Sequence, residues 1–224
     1  TEAAGRIARL YAQMAHNTNL EVAVLTRLAV KFDYEQHDVK SLETYQEALA
    51  LPEFQHVSPL LQSRVYAGLA ATNAYCGQDS QALSFLSQAK DMYPEQPETD
   101  PGYLIDGGTG KQGFTIWEGL TLKYTGHYVE ASNAFLRVGS LTPVPGLLEN
   151  LRAEHLNYAA SVAVGQRDLD KANFYLDTAE EVAWTIRHEQ RLSEVRSTFR
   201  EMQLLWPDEP QVRQLQEKMY ARQM

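Results

Sequence analysis

Gly77-Gln78-Asp79-Ser80-Gln81-Ala82 is the stretch that decides the fold class. Glycine enters the left-handed conformation that ends a helix without steric cost, so Gly77 closes the apolar-periodic segment before it. Asp79 is an N-cap residue type, and behind it a second amphipathic segment carries Leu86 and Ala89 and then meets Pro94, which cannot continue a helix. The six residues therefore predict a tight turn between two helices, a helical hairpin.

Outward from this turn the same grammar recurs. In the next unit Gly119 lies inside the first helix, Gly126 ends it, and Ala131, Phe135, Val138 and Pro143 mark the second. Upstream, Leu25, Leu28, Ala29 and Phe32 make one apolar face and Ser41, Tyr45 and Ala48 the next, followed by Pro52. Downstream, Leu156, Ala159, Ala160 and Ala163 precede Ala172, Leu176 and Ala179, with Trp184 where the closing proline would stand, so this last helix is predicted to run to about Arg187. The small residues opening each second helix (Ser41, Ala82, Ala131, Ala172) are spaced by 41, 49 and 41 residues. The widest interval contains a long loop, about residues 95–112, rich in proline and glycine. Ala70, Gly119 and Ala160 are small where helix axes must approach to about 8–10 Å. Each hairpin has more apolar surface than it can bury alone, so neighbouring hairpins are expected to stack.

The expectation is an all-α, helical-hairpin solenoid in one domain over residues 1–224. Residues 1–19 form an N-terminal capping helix whose stripe Ile7, Leu10, Tyr11 and Met14 covers the first hairpin; residues 20–187 make four hairpins, and residues 188–224 the C-terminal helices. Asp208 is read as N-cap of the last helix, Val212 to Tyr220, in capping-box relation with Gln211.

The chain has 44% apolar and 22% charged residues and a formal charge of -9, with its Lys and Arg scattered. That balance predicts a folded chain and argues against direct nucleic-acid binding by this region. No apolar run is long enough to span a membrane. Cys76 is the sole cysteine, which excludes an internal disulfide and a cysteine-based zinc site and fits a reducing, cytoplasmic setting. The chain opens at Thr1 without an initiator methionine and is read as a fragment of something longer.

The glycine, alanine, aromatic or leucine, alanine and proline pattern of residues 66–94 and 115–143 resembles the tetratricopeptide repeat (TPR), and the weaker copies extend it over residues 20–187. Arg191-Leu192-Ser193-Glu194, Trp206-Pro207 and Pro210-Gln211-Val212 also resemble the tail of TPR regions behind N-terminal helix-turn-helix domains in bacterial regulators. The resemblance implies a non-enzymatic recognition module, the sensor part of a larger signalling or transcription-regulatory protein, that binds a protein, a peptide or a small ligand on its concave face. By the register of the family that face holds Arg27, Tyr34, Arg64, Tyr75, Trp117, Leu120, Tyr124, Asn157 and Tyr158. Tyr34, Tyr75 and Tyr124 take equivalent places in successive hairpins, where they either contact a ligand or pack on the next repeat. The Lys and Asn set that clamps a terminal carboxylate is absent, since Thr26, Val30 and Gly68 stand there. The alternative is a self-associating scaffold, with a homodimer as its simplest form.

No motif in the sequence carries a recognisable chemistry. Gly107-Gly108-Thr109-Gly110-Lys111-Gln112 suggests a phosphate loop, but Ile105 stands where that motif needs glycine and Gln112 where it needs Ser or Thr. The six histidines are dispersed, with none at metal-ligand spacing, and no carboxylate pair or nucleophile stands out. No cofactor and no metal are expected. Tyr103, Leu104 and Ile105, apolar within a polar tether, are a further candidate, either as a lid over the groove, as a docking point for a neighbour, or as a local anchor.

Overall fold

The computed structural model describes residues 2–105, 110–138 and 149–222. Pro143 and the triplet Gly107-Gly108-Thr109 lie outside the described residues. Among those described, eleven α-helices follow in order: α1 (Glu2–Met14), α2 (Thr18–Tyr34), α3 (Asp38–Leu49), α4 (Pro59–Tyr75), α5 (Asp79–Met92), α6 (Gly110–Tyr124), α7 (Tyr128–Val138), α8 (Glu149–Gly165), α9 (Leu169–Thr185), α10 (Glu189–Leu205) and α11 (Pro210–Ala221). Short 3-10 turns at Phe54–His56 and Pro97–Thr99 precede α4 and α6. Packing is sequential and hairpin-like: α2 pairs with α3, α4 with α5 and α8 with α9.

The helices gather into two compact units, Thr1–Thr125 and Gly126–Met224. The boundary falls between α6 and α7, so the two helices read as the third hairpin belong to different units. In the first unit Val22, Leu25, Ala29, Tyr45, Leu61, Val65 and Leu69 form a continuous apolar core. In the second, Leu156, Ala160, Leu176, Ala183, Val195, Phe199, Val212 and Leu215 do the same, and α10 and α11 close over α8 and α9.

The periodicity of the sequence carries over into burial. Ser41, Ala82, Ala131 and Ala172, the four markers of the second helices, are each 0% exposed. A small residue is also required at Gly68 of α4, where a Cβ would lie 2.2 Å from Cζ of Tyr45 on α3. The phenol ring lies directly across the α4 backbone. Gly165 admits Tyr128 in the same way, at 2.3 Å from its Cε1.

Several details differ from expectation. The stripe Ile7, Leu10, Tyr11 and Met14 does not cover the first hairpin, since these residues are 54%, 59%, 66% and 75% exposed. Instead α1 turns Gly5, Arg9 and Ala12 inward: Gly5 allows contact with Leu28, and Arg9 pairs with Glu21 at 3.0 Å and Glu47 at 2.6 Å. Two ion pairs and a close helix approach decide the orientation against the apolar stripe. Asp79 is the first residue of α5 with Gln78 as its cap, and Glu209, not Asp208, caps α11, with Asp208 accepting a bond from Arg213. Cys76 is exposed.

Candidate functional site

In the first unit α4 packs between α2 and α6, so the residues assigned to a recognition face from these helices come onto neighbouring elements. The Arg64 guanidinium carbon lies 3.8 Å from the centre of the Trp117 ring, a cation–π stack between α4 and α6. Trp117 in turn meets Tyr45 edge-on at 6.3 Å between ring centres, and Tyr45 is held there by the gap at Gly68. Arg64 and Trp117 are both half-buried, which leaves a planar aromatic and a fixed positive charge partly open to solvent.

Tyr34, Tyr75 and Tyr124 are the last residues of α2, α4 and α6, equivalent positions as expected. Tyr75 and Tyr124 pack edge to face at 4.5 Å, the repeat-to-repeat contact that was the alternative to ligand binding. Tyr34 and Tyr124 nevertheless keep 48% and 47% of their surface exposed. Leu120 is only 5% exposed and belongs to the packing between helices.

Asn157 and Tyr158 lie on α8 in the second unit, and Asn157 is buried. The Tyr158 hydroxyl donates to Glu154 Oε1 at 2.7 Å, and its ring stacks on Phe135 with centroids 5.6 Å apart. Both contacts tie it into a buried network. Arg191 of α10 donates to Glu154 at 2.6 Å and to Glu194 at 2.7 Å, so one guanidinium joins α8 to α10. Sequence reasoning missed this network. Its one trace in the sequence is the pair Arg191 and Glu194, three positions apart on α10; Glu154 stands on α8 among other polar residues, Arg152, His155 and Asn157, and gives no signal of its own. Beside it His155 is pushed down to about 4 by burial, with the Arg191 charge adding to the effect.

The segment Asp100 to Ile105 is strapped to the first unit. Asp100 Oδ2 accepts from the Leu60 backbone N–H at 3.2 Å, at the start of α4, and its Oδ1 accepts from the Gly102 N–H at 2.6 Å. Gly102 is buried so tightly that a Cβ would lie 2.3 Å from Ser58 Oγ and 2.8 Å from Leu61 Cγ. Ile105 packs on the apolar core and its carbonyl accepts from Arg27 at 2.8 Å. Leu104 between these anchors is 87% exposed, and Tyr103 is half-buried.

Two polar places remain. A cleft of about 260 Å³ opens between the α1–α2 turn and the Phe54–His56 turn, lined by His16, Asn17, Glu53 and His56. Its two asparagines are already used: Asn17 caps α2 by accepting the Leu20 N–H, and Asn19 accepts the Ser58 N–H at 2.9 Å. At the junction of α2, α3 and α4, Asp33 is raised to about 7 by burial; the Asp38 charge adds to this and the Ser41 and Thr72 hydroxyls oppose it. Among the described residues no three His, Cys, Asp or Glu side chains converge as a metal site would require, and no helix is long and apolar enough to cross a membrane.

Comparison with models of known protein families found none that matches this chain, and no curated protein matched it.

Proposed function

We propose that this chain is a TPR-like, non-enzymatic recognition module, the sensor part of a larger signalling or transcription-regulatory protein, which binds a peptide or small ligand on the face shared by α2, α4 and α6. The repeat reading draws support from the sequential pairing of the helices and from the four fully buried marker residues. The functional reading is carried by the Arg64–Trp117 stack. A half-exposed tryptophan held by a guanidinium on one side and Tyr45 on another is rigid, so it loses little entropy when a ligand covers it. Tyr34 and Tyr124 extend an amphipathic surface along the helix ends.

The test is a random peptide library displayed on phage and selected against the native chain and against Trp117→Ala. Sequences should enrich on the native protein and lose at least tenfold in affinity on the variant, about 1.4 kcal/mol, while far-UV circular dichroism stays the same. No enrichment, or equal binding to both proteins, would remove this face as the site.

A second reading, the self-associating scaffold, is favoured by one observation. Ile7, Leu10 and Met14 recur at the alternating three- and four-residue spacing of a coiled-coil seam, and they face solvent.

A further inference from the structure

Deepening the recognition reading, and resting on it, we infer that the groove between the start of α4 and α2 is a peptide site, and that Asp100–Ile105 occupies it in cis as a stand-in ligand. The peptide class follows from the contacts: an acidic residue, a glycine two positions later, and an aliphatic residue three positions after that.

The contacts hold a short, turned segment: Asp100 accepts the Gly102 N–H on its carboxylate and the Tyr103 N–H on its carbonyl while it reaches across to α4. The carboxylate of Asp100 takes a backbone N–H at the open end of a 17-residue helix, where the unpaired amides and the helix dipole favour an anion. Arg27 holds a main-chain carbonyl, which any residue could supply. Specificity comes from two places. The wall made by Ser58 and Leu61 accepts glycine alone, and the Ile105 side chain packs against the apolar core of the first unit. The intervening Leu104 side chain contributes nothing to the grip at 87% exposure, so a ligand is free to vary there.

The fit is incomplete in a telling way. Ser58 is 7% exposed, its hydroxyl is aimed at Gly102, and no hydrogen-bond partner is provided for it. A buried hydroxyl without a partner is costly, and a peptide that offers it a carbonyl would hold on better than the segment now in place. The cis segment prevails through its tether, which gives it an effective concentration of about millimolar order. A free peptide with the same contacts therefore cannot compete until the strap is loosened.

The probe is a fluorescein-labelled, C-terminally amidated hexapeptide of the sequence Asp-Pro-Gly-Tyr-Leu-Ile, titrated by anisotropy into the native chain, Gly102→Ala and Ile105→Ser. Both substitutions alter the strap and leave Ser58, Leu60, Leu61 and Arg27 untouched. Binding to the strap variants should be at least tenfold tighter than to the native chain. It should weaken at least tenfold when alanine replaces the peptide's glycine, or when Arg27→Ala is added to the protein. Equal affinity for all three proteins, no binding to correctly folded strap variants, or indifference to the peptide's glycine overturns the inference. Should either variant fail to fold, hydrogen exchange on the native chain decides. The Leu60 and Gly102 amides should exchange through local opening, faster than the amides of Val65 to Thr72, and exchange only by global unfolding would show that the strap never lifts. The Trp117 selection concerns a different part of the face, so a failed hexapeptide with a successful selection would end this inference and leave the recognition reading standing.

Discussion

One residue in each of six interhelix turns adopts the left-handed conformation: His16, Gln36, Gly77, Gly126, Arg167 and Arg187, with φ between 47° and 79°. The reason is a shared hydrogen-bond pattern. The residue after it sends its N–H back to a carbonyl in the last turn of the helix, as in His37 to Phe32, Gln78 to Asn73, Asp168 to Ala163 and His188 to Ala183, which satisfies acceptors that a helix end would otherwise leave open. Two of the six are glycines, and those were the stops visible in the sequence. The others hold an L-residue where its Cβ crowds the following carbonyl, at roughly 1–2 kcal/mol, of which glycine's greater unfolded-state freedom would return roughly 0.5–1 kcal/mol. Gln36→Gly and Arg187→Gly, both at exposed positions, should each stabilise by about 0.5–1 kcal/mol, raising Tm by about 1–4 °C in a thermal melt. A lower Tm for both would mean that the side chains hold the turns.

Among the elements, α1 shows how an apolar stripe can mislead. Ile7, Leu10, Tyr11 and Met14 have the spacing of a core-facing helix, yet Gly5, Arg9 and Ala12 face the protein instead. Gly5 lets the backbone come close to Leu28, and Arg9 finds Glu21 and Glu47 across α2 and α3. No pattern confined to residues 2–14 could reveal those partners. An apolar seam left in water favours association, so sedimentation velocity at rising concentration should show a dimer that Leu10→Glu abolishes. A single monomeric species for the native chain at about 100 μM, a concentration at which even micromolar dimers form, would eliminate the scaffold reading as carried by α1.

Over the whole molecule two titratable groups, Asp33 in the first unit and His155 in the second, answer pH in opposite senses. In the first, Asp33 keeps its proton up to about 7 where the unfolded chain releases it near the ordinary carboxylate value, so stability is full at low pH and falls as pH rises from about 4 to about 7. In the second, His155 stays neutral down to about 4 while the unfolded chain binds a proton below about 6.5, so stability is full above that and falls as pH drops. Glu180, raised by burial despite Arg222 and Lys218, acts in the second unit in the same sense as Asp33, so the contributions have to be separated by substitution. Asp33→Asn should stabilise at about pH 7.5, by at most roughly 4 kcal/mol and less where solvent screens the carboxylate, with the gain shrinking toward pH 4.5. His155→Gln should leave a shallower loss between about pH 6.5 and 4.5. Melts that shift by equal amounts at every pH would show that neither group is buried in its ionised-state-averse setting.

The sequence by itself determined the helical class, the pairing of α2 with α3, α4 with α5 and α8 with α9, and the register of the small residues. These follow from local rules, since a helix stop, a cap and a 3.6-residue apolar period each act within about ten residues. It also placed Tyr34, Tyr75 and Tyr124 at equivalent helix ends. What only the tertiary structure decided are the features made by residues far apart in the chain. Trp117 and Arg64 stack because α4 and α6 are neighbours, Tyr158 turns into a network closed by Arg191, α1 rotates its apolar stripe outward, and Ile105 docks on Arg27 across 78 positions of sequence. Such contacts depend on which helix faces which, and burial and charge pairing between helices set that choice, beyond the reach of any periodicity within one of them.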